Sequence, residues 1–310
     1  MNEQHLHWGA EALWEQLEPL LPGVSIEVVA RLESTNTRLL DRARQHSGQR
    51  DAPVTRPGQI DDATGAADGM PPSPYGRRAV DTQPCLLVAE HQTRGRGRLG
   101  RGWQSSAGRS LTFSLSLPLA PRDWSGLSLG VGLAIADALD PPGDQPPRIG
   151  LKWPNDLWLL DPPGSPTPGR KLGGILIETV AVGSRRMCVV GVGVNVMPML
   201  EPATEGLSSG FACLQELQPT ASAPAALAAI AAPLVRLLQR FESEGFAPLV
   251  AEYARRDLLL GQRVSTSAPE PLDGVAEGVD ERGALRLRSG ALHSLVSGEV
   301  SVRLQDGAAC

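Results

Sequence analysis

The apolar positions along this chain alternate between helical and strand spacing, without a regular βαβ rhythm. Residues 8–21 carry apolar side chains at helical spacing, and that pattern ends at Pro22-Gly23. A strand-like run follows at residues 26–30, and Leu111 to Leu117 shows a strict period of two. This mixture predicts an α+β fold built on a mixed β-sheet with helices, rather than a doubly wound parallel sheet.

Further elements follow along the chain. Helical spacing recurs in three stretches, residues 125–139, 222–241 and 245–257. Strand-like runs recur in four, residues 149–152, 157–160, 172–179 and 187–196. After Leu260-Gly261 the pattern changes to short strands and turns, which predicts a small β-barrel. We therefore predict a large domain over residues 1–257 and a small C-terminal domain over residues 258–310.

Two segments rich in proline and glycine interrupt these elements. Residues 47–83 change to a composition of Pro, Gly, Asp and Ala, which predicts a disordered surface insertion. Residues 161–169 form a shorter segment of the same kind, which we interpret as a long hairpin connection. The sequence assigns no role to either segment.

Composition excludes several classes of protein. The 310 residues suffice for a substantial core and a second small domain, and the net charge of -5 gives no support to a general nucleic-acid binder. Neither a long apolar run nor a secretory signal is recognisable, so we expect a cytoplasmic protein outside the membrane. The four cysteines lack metal-ligand spacing, and we expect them to be reduced thiols: Cys85, Cys188, Cys213 and Cys310.

One short segment, residues 90–103, opposes this acidic background. Four arginines alternate in it with four glycines, and Trp103 follows directly; the arginines are Arg94, Arg96, Arg98 and Arg101. Glycine lets the backbone approach a ligand closely, and guanidinium groups offer forks of donors to carboxylate or phosphate oxygens. Because the segment is short, internal and flanked by strand-like runs, we interpret it as an anion-binding loop. A disordered nucleic-acid-binding segment is the alternative.

Three further segments have the chemistry of a nucleotide site, and each also has a purely structural explanation. The run Lys152–Asp156 brings a cation, an amide and a carboxylate into one turn, although Pro-Asn-Asp is ordinary turn chemistry. Arg170–Gly174 combines two cations with two glycines at the start of a strand, as a hairpin end also would. Gly191–Asn195 is predicted to be a strand whose glycines leave room for a flat group, and it is too short for a dinucleotide fingerprint.

The order of these segments resembles that of the biotin–protein ligases. The resemblance rests on five motifs in sequence, Ser34-Thr35-Asn36, Gly95–Arg101, Lys152–Asp156, Lys171–Leu176 and Gly193-Val194-Asn195. It covers residues 26–305 apart from the two insertions. It implies a fold of the class II aminoacyl-tRNA synthetase and biotin synthetase type, with a C-terminal SH3-like barrel over the segment that begins at Gly274.

The resemblance also implies an activity. Such enzymes join biotin and ATP into biotinyl-5′-AMP, with Mg²⁺ accompanying ATP, and pass biotin to a lysine of a biotin carboxyl carrier protein domain. The Arg/Gly loop would be the lid over the labile adenylate. A lipoate–protein ligase is the nearest alternative function, and an RNA-binding module is an alternative of a different class.

Residue roles are carried over by position in the motifs. Lys171 and Arg98 are the expected catalytic residues. The expected biotin-binding residues are Ser34, Thr35, Asn36, Gln92, Arg96, Gly97, Arg98, Lys171 and Gly174. The expected ATP-binding residues are Arg96, Arg98, Arg101, Trp103, Lys152, Asn155, Asp156 and Asn195. Metal ligands are not assigned, although Asp156 could orient Mg²⁺.

One departure from the family concerns the region before Ser34. Bifunctional members carry a winged helix that binds operator DNA, and about 33 residues are too few for one. We therefore expect a monofunctional ligase that does not bind DNA. A homodimer, the preferred carrier and the group that deprotonates the acceptor lysine remain open.

Overall fold

The architecture is seen in a computed structural model, which describes residues 6–47, 82–162, 164–165, 167–199, 209–267, 271–296 and 302–304. Most of the insertion predicted over residues 47–83, namely residues 48–81, lies outside the described residues. The described strands are β1 (Ser25–Leu32), β2 (Cys85–Gln92), β3 (Gly95–Arg96), β4 (Gly102–Trp103), β5 (Ser110–Pro118), β6 (Ile149–Lys152), β7 (Asp156–Leu160), β8 (Gly169–Val182), β9 (Arg185–Asn195), β10 (Arg263–Thr266), β11 (Asp273–Val279), β12 (Leu285–Ser289), β13 (Ala291–Leu295) and β14 (Val302–Leu304).

A seven-stranded mixed sheet forms the centre of the larger domain, in the order β1-β2-β5-β9-β8-β7-β6. β1 and β2 are parallel, and the other neighbouring strands are antiparallel. β7 and β8 form a hairpin around the proline-rich segment at residues 161–168, and Leu160 pairs with Gly169. The predictions of a mixed sheet with helices and of a hairpin at this segment are confirmed.

Helices cover both faces of this sheet. They are α1 (Ala10–Leu17), α2 (Thr35–Ser47), α3 (Leu127–Leu139), α4 (Ala223–Glu244) and α5 (Val250–Ala254). α1, α3 and α4 pack together on one face, whereas α2 lies alone on the other. Strand alternation explains the division, because Leu86 and Val88 of β2 join the core under α3 and α4 while Leu87 packs with Leu39 and Leu40 of α2.

Two helices are shorter than the apolar spacing predicts. The helix predicted over residues 8–21 is α1, which gives way at Glu18 to a series of turns. The helix predicted over residues 245–257 is a 3-10 turn at Ala247–Leu249 followed by α5. Gly245 with φ +70° ends α4, and Pro248 lacks the N–H that a continuous helix needs, so the chain restarts in a tighter turn.

α4 is the one described helix whose length and composition would allow it to cross a membrane. Half of its apolar stretch is buried inside the protein. Leu227, Ile230, Leu234 and Leu238 of this helix are fully buried members of the main core. The apolar character of α4 is therefore used in packing against α3 and the sheet.

A second, antiparallel sheet of five strands follows, in the order β13-β12-β11-β10-β14. Its turn at residues 280–284 contacts the larger domain, where Trp153 Nε1 donates to the Gly283 carbonyl oxygen at 3.1 Å. Gly283 has φ +74°, and a Cβ on it would lie 2.6 Å from Gly126 Cα. This position therefore needs glycine both for its backbone conformation and for the close approach to the start of α3.

The described cysteines are buried free thiols, as expected: Cys85, Cys188 and Cys213. Burial raises the pKa of the Cys188 thiol to about 12. A thiol in this state is inert, because the thiolate is the reactive form.

Arg256 closes the free edge of the large sheet. Its guanidinium is buried and binds the carboxylates of Asp137 and Asp140 together with the Ile149 carbonyl oxygen. The next residue, Asp257, pairs with Leu151 of β6 in a parallel bridge. The junction between the two sheets is thus fixed by buried ionic and backbone contacts.

Asp257 itself generates a prediction about stability and pH. Its Oδ2 atom is buried without a hydrogen-bond partner within the described residues, and burial raises the pKa of this carboxyl to about 6. The folded protein therefore holds the proton more tightly than the unfolded chain, and stability is lost as pH rises from about 4 through 6. We expect Asp257→Asn to stabilise the protein at pH 7.5 by about 2 kcal/mol and to leave it unchanged at pH 4.

Urea unfolding of both proteins at the two pH values measures this difference. Asp273→Asn, at an exposed carboxyl of β11, is the control and should show no such pH-dependent gain. Equal stabilisation at pH 4 and pH 7.5 would contradict the assignment to Asp257.

Candidate active site

A cavity of about 760 Å³ opens on the sheet face that carries α2. Its lining comes from the residues before and at the start of α2, the Arg/Gly loop, the β6–β7 turn, β8, β9 and residues 209–210. All the predicted site residues except Asn195 line this cavity. The structure thus brings together six segments that are up to 176 residues apart, between Ser34 and Gly210.

The floor of the cavity consists of β9 positions that lack side chains. A Cβ on Gly191 would lie 2.7 Å from Asn36 Cγ, and one on Gly193 would lie 2.6 Å from Trp103 Cζ2. A side chain at either position would therefore displace Asn36 or Trp103 from its present place. The flat group expected above this strand is therefore, in part, the protein's own Trp103 indole.

One end of the cavity holds buried, uncharged hydrogen-bonding groups. Gln92 Oε1 accepts from Thr35 N at 2.7 Å and from Thr35 Oγ1 at 3.2 Å. Ser114 Oγ lies 2.6 Å from both Thr35 Oγ1 and Asn36 Oδ1. Ser34 Oγ accepts from Thr37 N and caps α2. Ser114 was not predicted, because in the sequence it is one polar position of an alternating strand.

Ser105 fixes the backbone near Gln92. Its hydroxyl accepts from Gln92 N at 2.7 Å, and its carbonyl oxygen lies 2.9 Å from His91 Nδ1. The strand that carries Gln92 is therefore tied to the segment that follows the Arg/Gly loop.

The other end of the cavity is cationic. Lys171 Nζ pairs with Asp156 Oδ1 at 2.8 Å, and Arg98 donates to Asn155 Oδ1 at 3.3 Å. Lys152 Nζ lies 4.6 Å from the centre of the Trp158 ring, a cation–π contact. Burial lowers the pKa of the Arg98 guanidinium, although arginine stays protonated at neutral pH. Lys152 and Lys171 are the two lysines of the whole chain.

The β6–β7 turn is held against β8. Asn155 Nδ2 donates to the Ile175 carbonyl oxygen at 2.7 Å, and Ile175 N donates to the Asn155 carbonyl oxygen at 3.0 Å. The amide of Asn155 therefore has its nitrogen bound to the sheet and its oxygen toward Arg98. The turn presents Asp156 to Lys171 on the neighbouring strand.

Asn195 lies at the end of β9, outside the cavity lining. Its Nδ2 donates to the Ala212 carbonyl oxygen at 3.0 Å and to the Lys171 carbonyl oxygen at 3.4 Å. It thus ties the backbone of Lys171 to the segment at residues 209–212. A direct role of Asn195 in nucleotide binding stays a prediction.

Arg170, one of the two cations in the predicted nucleotide-site run Arg170–Gly174, also holds the segment at residues 209–212 in place. Its NH2 pairs with Asp161 at 3.1 Å, while its NH1 pairs with Glu216 at 2.9 Å and donates to the Phe211 carbonyl oxygen at 3.1 Å. These contacts hold the cavity wall at Ser209 and Gly210.

The remaining predicted residues lie in the Arg/Gly loop. Gly97 N donates to the Arg101 carbonyl oxygen at 2.7 Å, which closes a turn around Leu99. Leu99 has φ 55° and its side chain is 63% exposed. Arg96 reaches back from the loop to Glu178 of β8. Residues 96–99 and 101–103 of the loop line the cavity.

Comparison with known proteins identifies the family. Residues 81–195 match the Biotin/lipoate A/B protein ligase family. The biotin–[acetyl-CoA-carboxylase] ligase of Mycobacterium tuberculosis is 32% identical over 314 residues, which cover 96% of this chain and 92% of that protein. The chain belongs to the biotin–protein ligase family.

Other biotin–protein ligases share part of the sequence or the fold. The bifunctional ligase/repressor BirA of Salmonella typhimurium is 35% identical over 221 residues, which cover 70% of this chain and 66% of that protein. The chain thus spans just under two thirds of the length of that relative. The biotin protein ligase of Aquifex aeolicus in complex with biotin and ATP has a TM-score of 0.64 at 24% identity, covering 91% of this chain and 99% of that one. This last similarity concerns the fold.

The position of Trp103 against β9 generates a second prediction. Gly193→Ala introduces a methyl group where the indole now lies, so the ring has to move. With 5-fluorotryptophan incorporated, we expect the assigned Trp103 ¹⁹F resonance to shift. Gly143→Ala, at a position with open space, is the matched control. An unchanged Trp103 resonance in Gly193→Ala would show that the indole does not pack on β9.

Proposed function

We propose that this protein activates biotin with ATP to biotinyl-5′-AMP and then transfers biotin to a lysine of a carrier domain. The polarity of the cavity carries the proposal: a neutral hydrogen-bonding end at Asn36 and a cationic end at Lys171. Asn36 lies beside Gly191 of β9, whereas Lys171 Nζ lies beside Gly174 of β8, which is paired with Gly193. The two ends are therefore offset by two residues along the strands, about 7 Å.

The neutral end suits the ureido ring of biotin. An uncharged ring with donors and an acceptor needs a few placed polar groups inside an otherwise apolar slot. Ser34, Thr35, Asn36 and Gln92 supply hydroxyl and amide groups there, and all four are buried. Their mutual hydrogen bonds fix their orientation before a ligand arrives.

The cationic end suits the first chemical step. The biotin carboxylate attacks the α-phosphorus of ATP, the bond between the α- and β-phosphates breaks, and pyrophosphate leaves. Because both reactants are anionic, positioned cations lower the barrier. Lys171, oriented by Asp156, and Arg98, oriented by Asn155, are the groups assigned to this role. Lys152 and Arg101 are assigned to the phosphates, and Trp103 to the adenine side.

In the second step the neutral amine of a carrier lysine attacks the acyl carbon, and AMP leaves with the bonding electrons. The amine has to lose a proton, and Asp156 is the one carboxylate among the described lining residues. The Arg/Gly loop shields the mixed anhydride from water until the carrier arrives.

Mg²⁺ would enter with ATP. The described residues hold no cluster of three or more His, Cys, Asp or Glu side chains placed for a metal ion. Asp156 Oδ1 already pairs with Lys171, which leaves Oδ2 as a protein ligand. One carboxylate plus substrate phosphates is a common way to hold Mg²⁺. The metal would neutralise charge on the phosphates.

The proposal also includes the fold of the C-terminal sheet, the domain boundary and the cellular location. We infer that the five-stranded C-terminal sheet is SH3-like, that the domain boundary lies near residue 257 and that the protein acts in the cytoplasm. The start of the antiparallel strands at Arg263 supports the boundary. The lack of DNA binding stays a prediction, and a salt-sensitive, sequence-specific footprint on operator DNA would contradict it.

Lys171 gives the direct test of the reaction. We expect the purified protein to release pyrophosphate from ATP only when biotin is present. Lys171→Ala should lower the rate by about 10²-fold, because one charge-stabilising donor is lost in a site shielded from water. Arg44→Ala removes an exposed cation of α2 and should leave the rate unchanged. Equal rates in wild type and Lys171→Ala would overturn the catalytic assignment.

Thermal unfolding of the wild-type protein distinguishes biotin from lipoate as the substrate. Thermal unfolding with ATP and either acid should show stabilisation by biotin and none by lipoate, because ligand binding to the folded state raises its stability. Stabilisation by lipoate alone would favour the alternative ligase function.

A further inference from the structure

We propose that Glu178 is a positioning residue, which joins the biotin-binding end of the cavity to the Arg/Gly loop and holds that loop over the site. This inference rests on the proposed function. Glu178 lies on β8 and does not line the cavity, so it acts through the residues that do.

The first observation is a forked ion pair with the loop. Glu178 Oε1 accepts from Arg96 NH2 at 3.1 Å, and Glu178 Oε2 accepts from Arg96 NH1 at 3.3 Å. Arg96 NH1 also donates to Thr37 Oγ1 of α2 at 3.3 Å. Two parallel bonds fix both the distance and the orientation of the guanidinium plane, which a single bond cannot do. Arg96 thus connects the loop to a strand and to a helix.

The second observation is a bond in the opposite direction, into the cavity. Glu178 Oε2 also accepts from Asn36 Nδ2 at 3.1 Å. The amide oxygen of Asn36 bonds to Ser114, whose hydroxyl continues to Thr35 and from there to Gln92. One carboxylate therefore ends a continuous chain of hydrogen bonds that runs from the neutral end of the cavity.

The surroundings of Arg96 explain why this link matters. Arg96 stands between two glycines, and β3 and β4 pair over two residues each. Flexible glycines and so short a ladder give the loop little stability of its own. Side-chain contacts with the rest of the protein therefore decide where the loop lies.

A glutamine at this position keeps the shape and removes the charge. Its amide offers one acceptor oxygen where the carboxylate offers two. Its NH₂ group would face N–H donors of Arg96 or Asn36, and two donors cannot form a hydrogen bond. Glu178→Gln should therefore release the loop and loosen Asn36, without a cavity in the core. The alternative is an ordinary half-exposed ion pair with no effect on the site, since Arg96 is 47% and Glu178 24% exposed.

Limited trypsin digestion of the ligand-free full-length protein tests the link without any activity. Trypsin cleaves after arginine, and Arg94 to Arg101 offer four sites whose products are distinguished by mass. We expect cleavage in the loop to be about threefold to fivefold faster in Glu178→Gln than in wild type, because proteolysis follows the population of the open segment. Equal loop cleavage would overturn the proposal.

Glu27→Gln is the matched control. Glu27 forms a forked pair with Arg42 at 2.7 Å on both oxygens, with similar exposure, and neither residue lines the cavity. This variant should leave the loop cleavage unchanged. An equal increase in both variants would mean general destabilisation and would also overturn the proposal.

Kinetics provide the second readout. Glu178→Gln should raise the KM for biotin by about fivefold, with kcat for pyrophosphate release within about twofold, because Glu178 contacts no reacting atom. Adding Glu178→Gln to Arg96→Ala should have much less effect on loop cleavage than Glu178→Gln alone, whereas independent roles would give additive effects. Glu178→Asp, which keeps the charge, should recover part of the biotin affinity.

The two proposals fail in different ways. Faster loop cleavage in Glu178→Gln together with no biotin-dependent pyrophosphate release by wild type would sink the proposed function while leaving the link intact. Normal pyrophosphate release with unchanged cleavage and unchanged KM for biotin would sink the role of Glu178 alone.

Discussion

The site depends on the absence of two Cβ atoms from the middle of the large sheet. Gly191 and Gly193 leave β9 bare on the face that α2 covers elsewhere, and Asn36 and Trp103 occupy the space that side chains would fill. The same face carries Leu87 and Val189 under α2, where the sheet is packed with apolar side chains. A change from apolar residues to glycine along one strand thus makes room for Asn36 and Trp103, which line the cavity.

The cationic end depends on contacts between segments distant in sequence. Lys171 lies near the start of β8, and its carbonyl oxygen accepts from Ala212 N and Asn195 Nδ2. The turn that presents Asp156 follows Trp153, whose indole nitrogen is bonded to Gly283 of the second sheet. The C-terminal sheet is therefore part of the framework that positions the Lys171–Asp156 pair, although the turn at Gly283 lies about 130 residues away in sequence.

Sequence reasoning succeeded where local pattern decides the outcome. Periodicity located β5, α3 and α4, because these elements depend on neighbouring residues. It also assembled most of the cavity lining, because the motifs carry their chemistry in short runs. The early end of α1 at Leu17 and the late start of α5 at Val250 were missed, since turn geometry there overrides the apolar spacing.

It failed for residues whose role depends on distant partners. Ser114 is one polar residue in an alternating strand until Asn36, 78 positions away, is placed above it. Glu178 likewise reads as the end of a strand motif, and its partner Arg96 is 82 positions away. Asn195 has a structural role that its motif did not indicate, because its amide nitrogen donates to the carbonyl oxygens of Lys171 and Ala212. Pairings of this kind follow from strand order and register, which local sequence patterns do not reveal.

The distribution of lysine has a chemical consequence of its own. Acyl adenylates modify unprotonated primary amines, and in the proposed reaction an intermediate that escaped from this cavity would first meet the outer surface of the same protein. That surface offers guanidinium groups, which do not deprotonate at neutral pH, because the only lysines of the chain are Lys152 and Lys171 inside the site. The side chains of such a protein are poor targets for self-acylation, so activated biotin that escapes is left to water or to a foreign amine.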